Sequence, residues 1–204
     1  MDGTRPKTKG DDSMRPFLAL VATVALAADA PMHTFGSASA PITIELYSDF
    51  QCPGCKSLHE GTLRELRRTY VQSGKVRLVY HDIHLPMHKY ARLANCYACA
   101  AERLGLYDSV ADKLFETQRS WEQTGKVDEV VASVVAPAQM MKLRAIATDP
   151  STGQQLDART SAALGQEHIP GTPTMLIRHG AATDRVGLVS IDVLGKYLDM
   201  LLAK

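Results

Sequence analysis

The chain has 204 residues, 45% of them hydrophobic and 22% charged, which is the composition of a globular protein with one ordinary domain and room for an insertion. Its 23 basic and 22 acidic residues leave a formal charge of +1, and only 6% of residues are aromatic. These values exclude a basic nucleic-acid groove and a polybasic membrane surface as the basis of its function.

In chain order, Arg5, Lys7, Lys9 and Arg15 precede an apolar run from Phe17 to Ala28 that ends in small residues, the pattern of a secretory signal. The run is shorter than the roughly 20 residues a bilayer-spanning helix needs. A removed signal over residues 1–27, cut after Ala25-Leu26-Ala27, and a periplasmic or otherwise extracytoplasmic location are therefore expected. The cut removes four basic and three acidic side chains and leaves 19 of each. All four cysteines lie beyond it, and an even count in an oxidising compartment points to disulfide chemistry.

Residues 28–41 are rich in Gly, Ser, Ala and Pro and lack apolar periodicity, so a linker or N-terminal arm is expected, with ordered structure beginning near Ile42. Ile42 to Tyr47 reads as a strand that stops at Ser48-Asp49. From Cys55 onward Leu58, Leu63, Leu66 and Tyr70 recur at roughly helical spacing, and Val76 to Tyr80 reads as a second strand after the Gly74 break. Strand, helix, strand predicts a parallel pair joined by a right-handed crossover.

From Pro86 to about Glu167 the sheet pattern is suspended. Helices are expected from Lys89 to Leu104, from Tyr107 to Gln118, and in shorter pieces through Val127 to Leu164. Trp121 reads as a packing tryptophan and Met140-Met141 as core filling. Strands resume at Pro173 to Arg178 and Thr183 to Leu188, and a helix from Ile191 to Leu202 closes the chain. No repeat or low-complexity tract interrupts this order.

The stretch that carries chemistry is Cys52-Pro53-Gly54-Cys55. A first cysteine placed where a strand turns into a helix faces free N–H groups and the positive end of the helix dipole, which stabilise a thiolate without a neighbouring cation. The second cysteine, one turn on, can reach the first and is expected to be the more buried. A redox pair, a static disulfide and half of a zinc site all fit the spacing. The exported context and the strand-to-helix setting favour the redox pair, and no metal is expected.

Cys96 and Cys99, three residues apart on one helix face, are candidates for a second disulfide, for inert packed thiols, or for a second redox pair. Cβ atoms at that spacing are about 5–6 Å apart, wider than a relaxed bridge, so a disulfide there would distort the helix. His81, His84 and His88 follow an irregular strand-to-loop segment and read as loop and hinge residues rather than a metal triad. His168 reads as a solvated loop histidine.

Tyr47-Ser48-Asp49-Phe50-Gln51-Cys52-Pro53-Gly54-Cys55, with Gly171-Thr172-Pro173-Thr174 far downstream, resembles the DsbA-like branch of thioredoxin-fold oxidoreductases. His84-Leu85-Pro86-Met87-His88 and the alanines after it also resemble that family's lead-in to its helical domain. The resemblance implies an α/β thioredoxin fold with an inserted all-helical domain, residues 42–85 and 168–204 forming the first and residues 86–167 the second. It implies that Cys52 attacks and is attacked, that Cys55 resolves, and that Pro173, as a cis-proline, and Thr172 shape peptide docking. No dissociable cofactor is implied. The implied partners are cysteine-containing exported proteins and a quinone-linked membrane protein of the DsbB or vitamin K epoxide reductase type.

Two positions depart from the family pattern. Many relatives carry an acidic residue six positions before the first cysteine, where this chain has Leu46, with Glu45 and Asp49 nearby. Pro53-Gly54 replaces the Pro-His of strongly oxidising members. The expected activity is thiol:disulfide exchange as a dithiol oxidase; the alternatives are a reductase or isomerase of the same fold and a non-catalytic chaperone or binding module.

Overall fold

The structure, a computed structural model, describes residues 1–3 and 33–203. The expected signal segment therefore lies, but for its first three residues, outside the described residues. A mixed five-stranded sheet has the order β1-β3-β2-β4-β5. The strands are β1 His33–Phe35, β2 Ile42–Ser48, β3 Val76–Asp82, β4 Thr174–His179 and β5 Ala182–Val186. The expected parallel pair is β2–β3, with Leu46 beside Tyr80 and Ser48 beside Asp82, and β4 runs antiparallel to β2 with Tyr47 beside Thr174.

The alternation of β2 sorts its side chains by face, as a period of two requires. Ile42, Ile44 and Leu46 join Leu58, Leu63 and Leu66 of the first helix and Leu194 and Leu198 of the last in the larger core. Tyr47 points the other way, into a smaller cluster with Ile83, Ala163, Ile169 and Leu176. Helices thus cover both faces of the sheet, and the arrangement is the expected thioredoxin fold with a helical insertion.

The first helix, α1, runs over residues 53–71 and is not uniform: His59–Leu63 and Arg67–Val71 are wider turns, each one residue longer per hydrogen bond than an α-turn. The helical spacing of Leu58, Leu63 and Leu66 conceals this, because the extra residues are absorbed while the leucines still face the core. Tyr70, near its end, donates to Gly195 O at 3.1 Å and to Asp199 Oδ1 at 3.0 Å, locking α1 to the terminal helix.

Between β3 and β4 lie six helices: α2 Ala91–Arg103, α3 Tyr107–Glu116, α4 Gln118–Thr124, α5 Val127–Ala132, α6 Pro137–Ala147 and α7 Pro150–Gly165. The alanine-rich α2 is their hub, since its small buried Ala94, Ala98, Ala100 and Ala101 let neighbouring helices approach closely. Trp121 is fully buried, as expected, with its indole N–H donated to Leu114 O at 2.7 Å. The terminal helix α8 spans Ile191–Leu202.

Three expectations need correction. Among the described residues a strand already stands at His33–Phe35, ahead of Ile42: β1 pairs antiparallel with β3, and His33 stacks on Tyr107 with ring centroids 4.5 Å apart. Three residues are too few to show a period, so the strand is not legible among the small residues around it. Of the methionine pair, only Met140 fills the core; Met141 is 68% exposed, because adjacent residues on a helix point about 100° apart. The strand expected at Thr183–Leu188 ends earlier, at Val186, leaving Leu188 exposed.

Among the described residues no helix is long and apolar enough to cross a membrane. Gly125 ends α4 in the left-handed region at φ +73°, and a Cβ there would lie 2.6 Å from the Tyr90 ring. Gly125→Ala therefore meets both backbone strain and a clash, and should cost about 1–3 kcal/mol in urea-induced unfolding of the full chain; an unchanged midpoint would show that the capping turn is not under constraint.

Candidate active site

The site is built where β2 ends. Cys52 is the residue that caps α1, with extended backbone at φ −80° and ψ 122°, and Pro53 occupies the first helical position, where its missing N–H costs nothing. Cys52 is 8% exposed and Cys55, one turn in, 2%, the expected order of burial. None of the four cysteines is disulfide-bonded in the structure.

The β2–β4 register carries the turn before β4 to the same spot, 120 residues away in sequence. The Thr172–Pro173 peptide bond is cis. Cys52 as a thiol donates to Thr172 O at 3.2 Å. A Cβ on Gly54 would lie 3.1 Å from Pro173 Cδ and 3.7 Å from Cys52 Sγ, so a side chain there would need the proline to give way by a few tenths of an ångström. Pro173 and Gly54 therefore face each other beside the sulfur, with no room for a side chain between them. The Thr172 hydroxyl is buried and makes no other hydrogen bond that would compete for it.

The electrostatics of the pair follow from these contacts. The Cys52 thiol is lowered to about 5, because the Cys55 thiol, the Thr172 hydroxyl and the amides of Cys55 and Gly54 hydrogen-bond its thiolate, against the opposing effect of burial. Cys55 moves the other way: burial raises it, and so does the Cys52 thiolate beside it, although the Asp49 amide donates to its sulfur at 3.4 Å. One thiol ionises easily and the other holds its proton, which is the division of labour that nucleophilic attack and later resolution require.

Three side chains hold the loop before Cys52 against the insertion. The fully buried Asp49 accepts from Gln51 N at 2.7 Å and Leu85 N at 2.8 Å, and is 2.7 Å from His88 Nδ1. Gln51 Oε1 accepts from Tyr90 N at 2.8 Å. Gln118, buried at the start of α4, donates to Phe50 O at 2.7 Å and to Cys52 O at 3.0 Å. Sequence reasoning missed Gln118 altogether, since a lone glutamine in a helical stretch carries no pattern. Asp49 and His88 lie within stretches singled out in the sequence, but as a motif position and a loop or hinge histidine, with no role assigned at the thiols.

The remaining candidates lie apart. Cys96 and Cys99 are buried on α2, and burial raises both thiols, so they do not share the activation of Cys52. His81 stacks on Tyr47, with ring centroids 4.6 Å apart, and His84 pairs with Asp157 and Thr160; neither approaches the arrangement of His88. His168 is exposed, with φ 52°. Among the described residues no three of His, Cys, Asp and Glu gather as a metal site would need.

A family profile described as "Thioredoxin" matches residues 28–199. Among solved structures, α-DsbA1 of Wolbachia pipientis superposes with a TM-score of 0.72 at 16% identity, covering 83% of this chain and 90% of that one. BdbD of Bacillus subtilis superposes with a TM-score of 0.66 at 19% identity, covering 84% and 92%. These likenesses are of fold. A curated relative, Na(+)/H(+) antiporter NhaA 3 of Salinispora tropica, is 37% identical over 89 residues, which is 42% of this chain but only 13% of the length of that protein.

A depressed thiol makes the stability of the reduced protein depend on pH. The folded value of Cys52, about 5, is below that of an unfolded thiol near 8.5, so the thiolate stabilises the fold in full above the unfolded value, and the contribution declines as pH falls from there and is gone once pH has passed through the folded value. Absorbance of the reduced protein at 240 nm should titrate with a midpoint near 5. Unfolding free energy relative to Cys52→Ser should fall by about 2–3 kcal/mol between pH 7 and pH 4. A midpoint above 8 would show that the thiolate receives no such support.

Proposed function

We propose that this chain, which belongs to the thioredoxin family, is an exported thiol:disulfide oxidoreductase that passes the Cys52–Cys55 disulfide to cysteine-containing exported proteins. The observation that carries the reading is the asymmetric thiol pair set against the Thr172–Pro173 turn. A substrate thiolate attacks Cys52 Sγ, and the Cys52–Cys55 bond breaks with Cys55 as the leaving sulfur. A second substrate thiolate then attacks the substrate sulfur of the mixed disulfide and releases Cys52 as a thiolate. Two electrons pass from the substrate to the pair, and the substrate leaves with a disulfide.

Direction follows from the leaving group. A thiol that ionises near 5 leaves far more readily than an ordinary cysteine and stabilises the reduced enzyme, which makes the disulfide oxidising. The nucleophilic thiols of thioredoxin, at about 7, and of DsbA, at about 3.5, lie on either side of it. The dithiol oxidase reading is the one this supports, with reoxidation by a quinone-linked membrane protein of the DsbB or vitamin K epoxide reductase type. Thr172 and Pro173 present backbone to an incoming extended peptide, and Gly54 keeps the approach to Cys52 clear. Export rests on the pattern of residues 1–27, and a mature chain starting at Ala28 is the form that mass spectrometry of the exported protein should find.

Two experiments test the activity. Cys52→Ser should abolish both catalysed insulin reduction and oxidation of a dithiol peptide, whereas Cys55→Ser should accumulate a mixed disulfide with substrate; full rates from Cys52→Ser would leave only a non-catalytic binding role. The equilibrium potential of the pair in glutathione buffers should lie well above thioredoxin's value of about −270 mV, toward the value of about −120 mV of DsbA. A value at the thioredoxin end would make the protein a reductase.

A further inference from the structure

One buried ion pair beside the thiols has no part in the exchange steps themselves. Asp49 is 0% exposed and joins the loop that carries the thiols to the segment leading into the insertion: Oδ1 accepts from Gln51 N, and Oδ2 accepts from Leu85 N and lies 2.7 Å from His88 Nδ1. The same residue's amide donates to Cys55 Sγ, and its carbonyl accepts from Cys52 N at 3.0 Å. One residue is thus bonded to both cysteines and to the imidazole. A carboxyl group withdrawn from water needs polar partners, and His88, 19% exposed at the rim, is its side-chain partner.

We propose that His88, anchored by Asp49, is a positioning residue for the Cys52–Cys55 pair, its imidazolium serving as the countercharge of the Cys52 thiolate. The inference rests on the oxidoreductase reading above and deepens it. It gives a source of positive charge at a site whose own dipeptide, Pro53-Gly54, contains none. The charge comes instead from the segment that leads into the helical insertion, beside the exposed Met87.

The charged groups around His88 agree in sign. Asp49 and Cys52 face it from the loop and Glu122 from α4, and all three favour its protonated form; the hydrogen bond to Asp49 is the largest influence, and burial opposes them. Lys89, its neighbour in sequence, lies over the Tyr90 ring with Nζ 4.9 Å from the centroid. The coupling must be reciprocal: a thiolate that raises His88 is lowered by it to the same degree. When the Cys52–Cys55 disulfide oxidises a substrate dithiol, two electrons reach the pair and two protons leave the substrate. Cys55 keeps one as a thiol, and the other is shared between His88 and solvent while Cys52 remains a thiolate.

The test follows the His88 ring signals by NMR in the full chain, titrated from pH 4 to 9 in the oxidised and in the reduced state. His88 should titrate at a higher pH when the protein is reduced; identical curves would overturn the proposal without any variant being made. In parallel, His88→Gln keeps a hydrogen-bonding side chain but no charge. It should raise the Cys52 midpoint at 240 nm and lower the potential of the pair, by about 30 mV for each tenfold fall in the acid constant. His88→Lys should hold both near the unmodified values. A purely structural His88 would lower stability in both variants alike and leave the midpoint in place. Absence of insulin reduction and peptide oxidation in the unmodified protein would refute the oxidoreductase reading while leaving the linkage between His88 and Cys52 to be judged by its own titration.

Discussion

A thiolate at Cys52 has to be stabilised by donors that no single element can supply. The first turn of α1 provides two amides and the Cys55 thiol; the hydroxyl of Thr172 comes from the turn that leads into β4. Everything else in the architecture serves to bring those two suppliers to one place. The β2–β3 crossover sets the helix on its face of the sheet, and the antiparallel β2–β4 register, Tyr47 beside Thr174, brings the turn alongside. A slip of one residue in that register would turn Thr174 and Met175 to opposite faces and carry Thr172 and Pro173 away from the sulfur.

The insertion is coupled to this arrangement rather than appended to it. Gln118 from α4 closes two carbonyls of the loop, Tyr90 N closes Gln51, and Leu85 N with His88 closes Asp49. These bonds are buried or half-buried, where an unmade partner costs more than a made bond contributes. The loop that carries Cys52 is consequently defined from both sides, by the sheet it leaves and by the helices that interrupt the sheet. The buried Asp82, bonded to the Tyr107 hydroxyl at 2.7 Å, makes a further tie between the end of β3 and α3.

Much of the fold was legible because the hydrophobic pattern obeys one period at a time. The alternation in β2, the leucine spacing of α1 and the closing helix at Ile191–Leu202 each follow from side chains that must share a face. The failures occur where that logic has nothing to act on. β1 is three residues long, the wide turns of α1 keep the leucines facing inward, and Met141 differs from Met140 only by a rotation about a helix axis whose phase no short sequence window fixes.

The site divides in the same way. Cys52-Pro53-Gly54-Cys55 between a strand and a helix, with Gly171-Thr172-Pro173-Thr174 downstream, determined from the sequence alone which thiols are set apart and why the first would be the acidic one, because a helix N-terminus and its amides are local properties. Tertiary structure decided what surrounds them: the Thr172 turn against Cys52, the clasp of Gln118, and the Asp49–His88 pair. Those contacts join residues 39 to 120 positions apart. Their geometry is set by strand register and helix packing, quantities to which a linear sequence contributes only through the fold it makes.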